Sequence, residues 1–180
     1  GVVGGNGFVL TGMAGGDRSG RSVCSAGDVN GDDIAELIIG ASVAEPNGSQ
    51  SGESYVVFGS DAPFSGAVEL SSLDGSNGFV LNGIAADDFS GNSVSSAGDI
   101  NGDGIDDLII GAPFADPNGE SYVVFGSDAP FSGAVELSSL DGSNGFVLNG
   151  IVGDPSRMAG SDFSGRSVSS AGDINGDGLD

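Results

Sequence analysis

Apolar residues in this chain come in short bursts punctuated by glycine, serine, asparagine and aspartate. No burst has the length or the 3.6-residue spacing of an amphipathic helix, so the pattern predicts short strands and tight turns. Two runs, Glu36–Ala41 and Asp107–Ala112, carry consecutive Leu-Ile-Ile and read as strands buried on both faces. Around them the predicted strands fall in a fixed order. The earlier set is Gly20–Gly27, Glu36–Ala41, Glu53–Gly59 and Gly78–Gly83. The later set is Gly91–Gly98, Asp107–Ala112, Glu120–Gly126 and Gly145–Gly150. GFVLTG at Gly7–Gly12 reads as a lone fourth strand, and residues 163–172 as a lone first strand. Ser127–Asn144, with Pro130 and the turn cluster SSLDGSN, reads as a loop with at most one short turn.

The order repeats because the sequence does. Residues 53–84 and 120–151 are identical, and residues 88–106 and 162–180 differ only at Asn92/Arg166 and Ile105/Leu179. Extra residues at Gly48–Gly52 and Gly153–Ser161 lie in polar stretches, where surface loops tolerate length changes. Four short antiparallel strands per repeat predict an all-β fold of β-propeller blades. The expected organisation is the last strand of a preceding blade at 1–16, one blade at 17–88, a second at 89–162 and the start of a third at 163–180. That is an open fragment of about two and a half blades, read as a piece of a longer chain. Such an arc should leave sheet edges unpaired, with Phe8, Leu10 and Val168 exposed or in substitute contacts, and should be marginally stable or associate through those edges.

Between the first and second strands of each repeat lies the chemistry. Asp28, Asn30 and Asp32 alternate, followed by Ile34 and Glu36; Asp99, Asn101, Asp103, Ile105 and Asp107 repeat the spacing; Asp173, Asn175, Asp177 and Leu179 begin it again. Oxygen-bearing side chains at alternate positions of a tight loop point at one interior spot, where they repel unless a cation sits among them. A hard cation with six to eight oxygen ligands suits the set, and calcium is the usual one. The carbonyls of Ile34, Ile105 and Leu179 are the expected seventh-position ligands, and Glu36 and Asp107 should close the shell at the ninth. The third loop reaches only its eighth position at Asp180, so it should bind weakly or not at all. Position eight of the second loop, Asp106, should point away from the ion.

Two other readings compete. An EF-hand needs a glutamate at position twelve and flanking helices, whereas Ile39 and Ile110 stand there. Metal-free Asx turns are the blander reading; three copies of the ligand pattern favour the ion. Gly104 suits the sharp turn. The first loop has Asp33 in its place, a residue that tolerates positive φ at some strain.

Charge narrows the function. The 180 residues carry a formal net charge of −22, with four arginines and no lysine, which disfavours a nucleic-acid partner. Many of the acids lie outside the loops, so a salt- or calcium-rich environment is expected rather than ion binding alone. No stretch approaches the roughly 20 apolar residues of a membrane span. Cys24 is the single cysteine, so no intrachain disulfide forms, and it reads as a small strand residue. With no histidine, no Ser-His-Asp or Cys-His arrangement can be built from these residues.

FSGNSV, GDINGDGIDDLIIGAP and SYVVFG resemble the FG-GAP repeat of the integrin α-subunit head. The family's Phe-Gly start, acidic loop and Gly-Ala-Pro strand end correspond to Phe89–Gly91 with a serine inserted, Asp99–Asp107, and Gly111–Pro113. The first copy departs from it, with Arg18 for the phenylalanine and Ser42 for the proline. The resemblance implies a seven-bladed propeller whose calcium loops stabilise blades while other loops, at the opposite face, bind ligands. The near-identical repeats and the acidity favour a bacterial-type surface or secreted relative over an animal integrin. The implied function is non-catalytic cell adhesion or extracellular recognition, with an extracellular protein or carbohydrate as partner besides the neighbouring blades. The competing readings are an accessory module of a secreted hydrolase or lyase, and a purely structural spacer.

Overall fold

The computed structural model describes residues 7–64, 66–151, 162–178 and 180. The inserted stretch at Gly153–Ser161 and the ligand position Leu179 lie outside the described residues. Eleven strands order the rest: β1 Val9–Thr11, β2 Ser22–Gly27, β3 Glu36–Ala41, β4 Glu53–Val57, β5 Ala67–Glu69, β6 Gly78–Asn82, β7 Ser93–Gly98, β8 Asp107–Ala112, β9 Glu120–Val124, β10 Ala134–Glu136 and β11 Gly145–Asn149. Strands β2, β3, β4 and β6 form one antiparallel ladder; β7, β8, β9 and β11 form its copy. In both, the register slips where the first strand enters the acidic loop, between Ser25 and Gly27 and between Ser96 and Gly98. The two sheets do not close into a barrel, and the fold is an open all-β propeller fragment.

The continuous apolar runs behave as their lack of alternation requires. In β3, Ile38 packs into the core shared with the second sheet, beside Val56, Phe79, Leu108, Ile110 and Tyr122. Its neighbour Ile39 faces the other way, into a cluster with Tyr55, Val57, Leu70 and Leu73. The inner strands β2 and β7 lie side by side: the Val94 amide donates to Ser22 Oγ at 3.0 Å, and Cys24 Sγ sits 3.8 Å from Ser95 Oγ. Cys24 is therefore a partly buried residue of a strand–strand contact.

Three expectations need correcting. The stretch read as a loop, Ser127–Asn144, contains β10 and a 3₁₀ turn at Leu137–Ser139; the earlier copy likewise has β5 and a turn at Leu70–Ser72. Three residues are too few to display a period, and their partner is not a sequence neighbour. β10 pairs in parallel with β6 of the first sheet, and β5 pairs in parallel with β1. The arc is therefore less frayed than expected. β1 is not alone and the β6 edge is covered; Phe8, stacked on Phe64 at 4.2 Å, and Leu10, packed against the second apolar cluster, are in substitute contacts as expected. The third correction concerns residues 163–172, where no strand forms among the described residues. Ser164 makes an isolated parallel bridge to Gly119.

Candidate metal centre

The acidic loops are built by their own side chains. Asp28 Oδ1 accepts the amides of Gly31 at 2.8 Å and Asp32 at 3.1 Å, and its Oδ2 accepts that of Asp33 at 2.8 Å. Asn30 Oδ1 accepts the Asp32 amide, and Asp32 Oδ1 accepts that of Ile34. Asp99, Asn101 and Asp103 repeat every one of these bonds, ending on the Ile105 amide. Asp173 and Asn175 make the same bonds as far as the Gly178 amide. The alternate spacing thus winds three loops in one way. Asp33 takes φ +65°, where Gly104 and Gly178 take +89° and +93°; the first loop holds a left-handed aspartate as its sequence predicts.

The loops differ at the closing position. In the first, Asp28, Asp32 and Glu36 each bring an oxygen within 4.8 Å of the others. Carboxylates around one ion at about 2.3–2.6 Å would stand about this far apart. Glu36 enters from the start of β3 and is only 2% exposed. Its Oε2 accepts the Val29 amide at 2.6 Å, while Oε1 is buried with no hydrogen-bond partner. A buried carboxylate oxygen without a donor is costly unless a cation or proton meets it. Among the described residues, the second loop does not gather into an equally tight set. Asp107, one methylene shorter, is fully buried and gives both oxygens to amides, Oδ2 to Ile100 and Oδ1 to Gly126, each at 2.9 Å. In the third loop Asp173, Asn175 and Asp177 are in place.

The eighth position has a use that the spacing alone does not reveal. Asp106 reaches the neighbouring loop: its Oδ2 accepts the Asp28 amide at 2.9 Å, and its own amide donates to the Asp28 carbonyl at 2.8 Å. Asp180, the same position of the third loop, donates its amide to the Asp99 carbonyl at 3.3 Å. The residue expected to face away from the ion therefore ties each loop to the preceding one. The sequence signal is the shared aspartate at 106 and 180, against Ala35 in the first copy.

Burial pushes the Glu36 carboxyl up from its ordinary 4.5 to about 7, against the pull of the Val29 and Gly59 amides. It pushes Asp107 from 3.8 to about 6, against the amides of Gly126 and Ile100. Both shifts favour the protonated acid in the folded chain. Without metal, the fold holds more protons than the unfolded chain between roughly pH 4 and 7, so its stability falls as pH rises through that window. Melting in chelator should therefore occur at a higher temperature at pH 5 than at pH 7.5. Glu36→Gln should flatten part of the difference; an equally steep profile in the variant would contradict the assignment.

Two four-stranded antiparallel units side by side, each with an acidic hairpin loop between its first and second strands, define a propeller segment with candidate cation loops at one end. The family model of the FG-GAP repeat matches residues 19–57 and 90–124, one segment in each four-stranded sheet. Each matched segment spans the first three strands of one sheet together with its loop. No curated protein matches the chain. No helix among the described residues is long and apolar enough to cross a membrane.

Proposed function

We propose that this chain is a calcium-stabilised, non-catalytic, integrin α-like propeller segment for adhesion or recognition outside the cell. The observation that carries the reading is the gathering of Asp28, Asp32 and the buried Glu36 into one carboxylate set. Asp28, Asn30, Asp32, the Ile34 carbonyl and Glu36 would hold the first ion, and Asp99, Asn101, Asp103, the Ile105 carbonyl and Asp107 the second. Bound there, calcium would neutralise the crowded carboxylates and fix the hairpin between the first two strands of each sheet. Extracellular calcium modules work at about 10⁻⁴–10⁻³ M ion, a range fitting loops this exposed to solvent.

A cleft supports the recognition part of this reading. The opposite ends of the first strands meet a cleft of about 430 Å³, lined by Arg21, Asn92, Pro113, Phe114, Phe163 and Arg166. Arg21, Asn92 and Arg166 occupy one repeat position, and Arg166 lies 6.0 Å from the centre of the Phe163 ring. In so acidic a chain, guanidinium groups beside an exposed Phe114 form a distinctive surface for a polar or acidic ligand. Binding of the calcium-loaded chain to immobilised gelatin and hyaluronate tests the proposal. Retention on either, reduced by chelator and by Arg166→Ala, is expected; retention on neither contradicts it.

The ligand register has its own test. Asp103→Ala should weaken calcium binding in the second loop by about tenfold or more, since a direct carboxylate ligand is lost. Asp106→Ala should leave affinity within about threefold and instead lower stability by about 1 kcal/mol, through the lost bond to the Asp28 amide. Calorimetric titration of the two variants separates them. Equal losses of affinity would contradict the register.

A further inference from the structure

We propose that neighbouring acidic loops take up calcium as a coupled pair, with Asp106 as the positioning residue that carries the occupancy of the second loop to the first. The inference rests on the calcium reading of the loops and adds that the two sites are not independent. Its basis is one peptide unit, the amide between Asp28 and Val29. The carbonyl end of that unit accepts the Asp106 amide of the second loop at 2.8 Å. The N–H end donates at 2.6 Å to Oε2 of Glu36, the closing carboxylate of the first loop. A single amide thus stands between the two loops, and hydrogen bonds in series polarise one another. Asp106 grips the same residue a second time, its Oδ2 accepting the Asp28 amide at 2.9 Å.

A parallel route joins the two closing carboxylates. The Val29 carbonyl accepts the Ser127 amide at 3.0 Å, and the amide just before it, that of Gly126, donates to Asp107 Oδ1 at 2.9 Å. Glu36 and Asp107 are therefore linked through backbone groups alone. The seat for Asp106 is built into the strand. β2 slips its register between Ser25 and Gly27, and Gly27 takes φ +76°. A Cβ on Gly27 would lie 2.1 Å from Asp106 Oδ2, so the slip and the glycine together make room for that carboxylate. The same arrangement recurs one repeat later. Gly98, at φ +74°, seats Asp180, whose amide donates to the Asp99 carbonyl at 3.3 Å. At the other end of that peptide unit the Ile100 amide donates to Asp107 Oδ2 at 2.9 Å.

An ion in the second loop draws the Ile105 carbonyl and the Asp107 carboxylate, on either side of Asp106, towards one point. That fixes Asp106 and, through it, the Asp28–Val29 unit that orients Asp28 and Glu36 for the first ion. In an empty second loop the crowded carboxylates repel, Asp106 is held less firmly, and the unit loses part of its support. Each ion therefore favours the arrangement that the other binds better, and by linkage the effect is equal in both directions. Against it, each ion lowers the negative potential that attracts the other, a longer-range effect that 0.15 M salt screens beyond about 8 Å.

Calorimetric calcium titration of the full chain at about 0.15 M salt, beside its Asp32→Ala and Asp103→Ala variants, measures the coupling. Asp32→Ala leaves the second loop to fill, and Asp103→Ala leaves the first. The constant for filling both loops of the parent should exceed the product of the two single-loop constants by about fivefold or more. The same set built on Asp106→Ala, which gives the second loop the alanine that the first has at Ala35, should bring that ratio below about two. A fivefold coupling shared by two sites is only about twofold in mean affinity, so the variant still binds. Asp106→Asn keeps an oxygen for the Asp28 amide and should keep most of the ratio. Calcium added to the Asp32→Ala chain should also slow hydrogen exchange of the Asp28 and Val29 amides relative to those of β4, and should not when Asp106→Ala is present. Two filled sites with a ratio of about one in the parent overturn the proposal and leave the calcium reading standing. A ratio that Asp106→Ala does not lower overturns it in the same way. No calcium binding at either loop overturns both.

Discussion

Stripping calcium should lower the melting temperature of this chain by on the order of 10 °C or more. Each complete loop concentrates four formal negative charges, Asp28, Asp32, Asp33 and Glu36 in the first and Asp99, Asp103, Asp106 and Asp107 in the second. The backbone amides that wrap Asp28 and Asp99 offset only part of that repulsion. An ion bound only by the folded state stabilises it by about 2.7 kcal/mol at a hundredfold excess over its dissociation constant. Two such loops would supply about 5 kcal/mol, and a chain of this size melts about 2–4 °C higher per kcal/mol. Thermal scans in calcium at a hundredfold excess over that constant, about 10–100 mM for sites of about 10⁻⁴–10⁻³ M, and in excess chelator measure the difference. Superimposable transitions would mean that the loops are turns and nothing more.

Gly40→Ala should cost about 3 kcal/mol, for a reason unrelated to metal. A Cβ on Gly40 would lie 2.0 Å from the carbonyl oxygen of Gly91, backbone belonging to the second sheet. On Gly111 it would lie 1.9 Å from the carbonyl oxygen of Gly165. Neither obstacle is a side chain that can rotate away, so at Gly40 the two sheets must part, and at Gly111 the backbone around Gly165 must shift. Gly111→Ala should behave alike. Gly15→Ala, where nothing stands within 4 Å of the added carbon, should stay within about 0.5 kcal/mol of the parent. Chemical denaturation would show the first two as shifts of midpoint at constant slope. A Gly40→Ala chain as stable as the parent would show that the sheets are not held at this distance.

Much of this was legible because repeat and period carry it. The Leu-Ile-Ile runs announced strands buried on both faces, and β3 and β8 span the predicted residues. Alternate acidic positions announced the loops, whose side chains wrap their own backbone as the spacing requires. The Ala-Val-Glu strands stayed hidden because three residues show no period and their partners lie in the preceding unit. The bond from Asp106 to the Asp28 amide stayed hidden because it too joins units. A further feature was out of reach of periodicity. Arg18, Phe89 and Phe163, the residues at the family's phenylalanine position, all take positive φ, at 59°, 56° and 52°. A bulky residue seldom adopts that conformation, and nothing local in the sequence asks for it. The surroundings impose it: the next two residues, Ser90–Gly91 in the complete copy, pass close against Gly52 and Gly40 of the neighbouring sheet. What sequence reading missed is thus mostly contact between units, and what it found is mostly structure within one.

The central claim is that the acidic loops are cation sites and not ornamented turns. Calorimetric titration of calcium into the metal-stripped chain tests it most directly, beside a chain carrying Asp32→Ala and Asp103→Ala together. The account predicts saturable binding at two principal sites in the parent and its loss in the double variant. No calcium binding by the parent, or identical isotherms for the two chains, would contradict it.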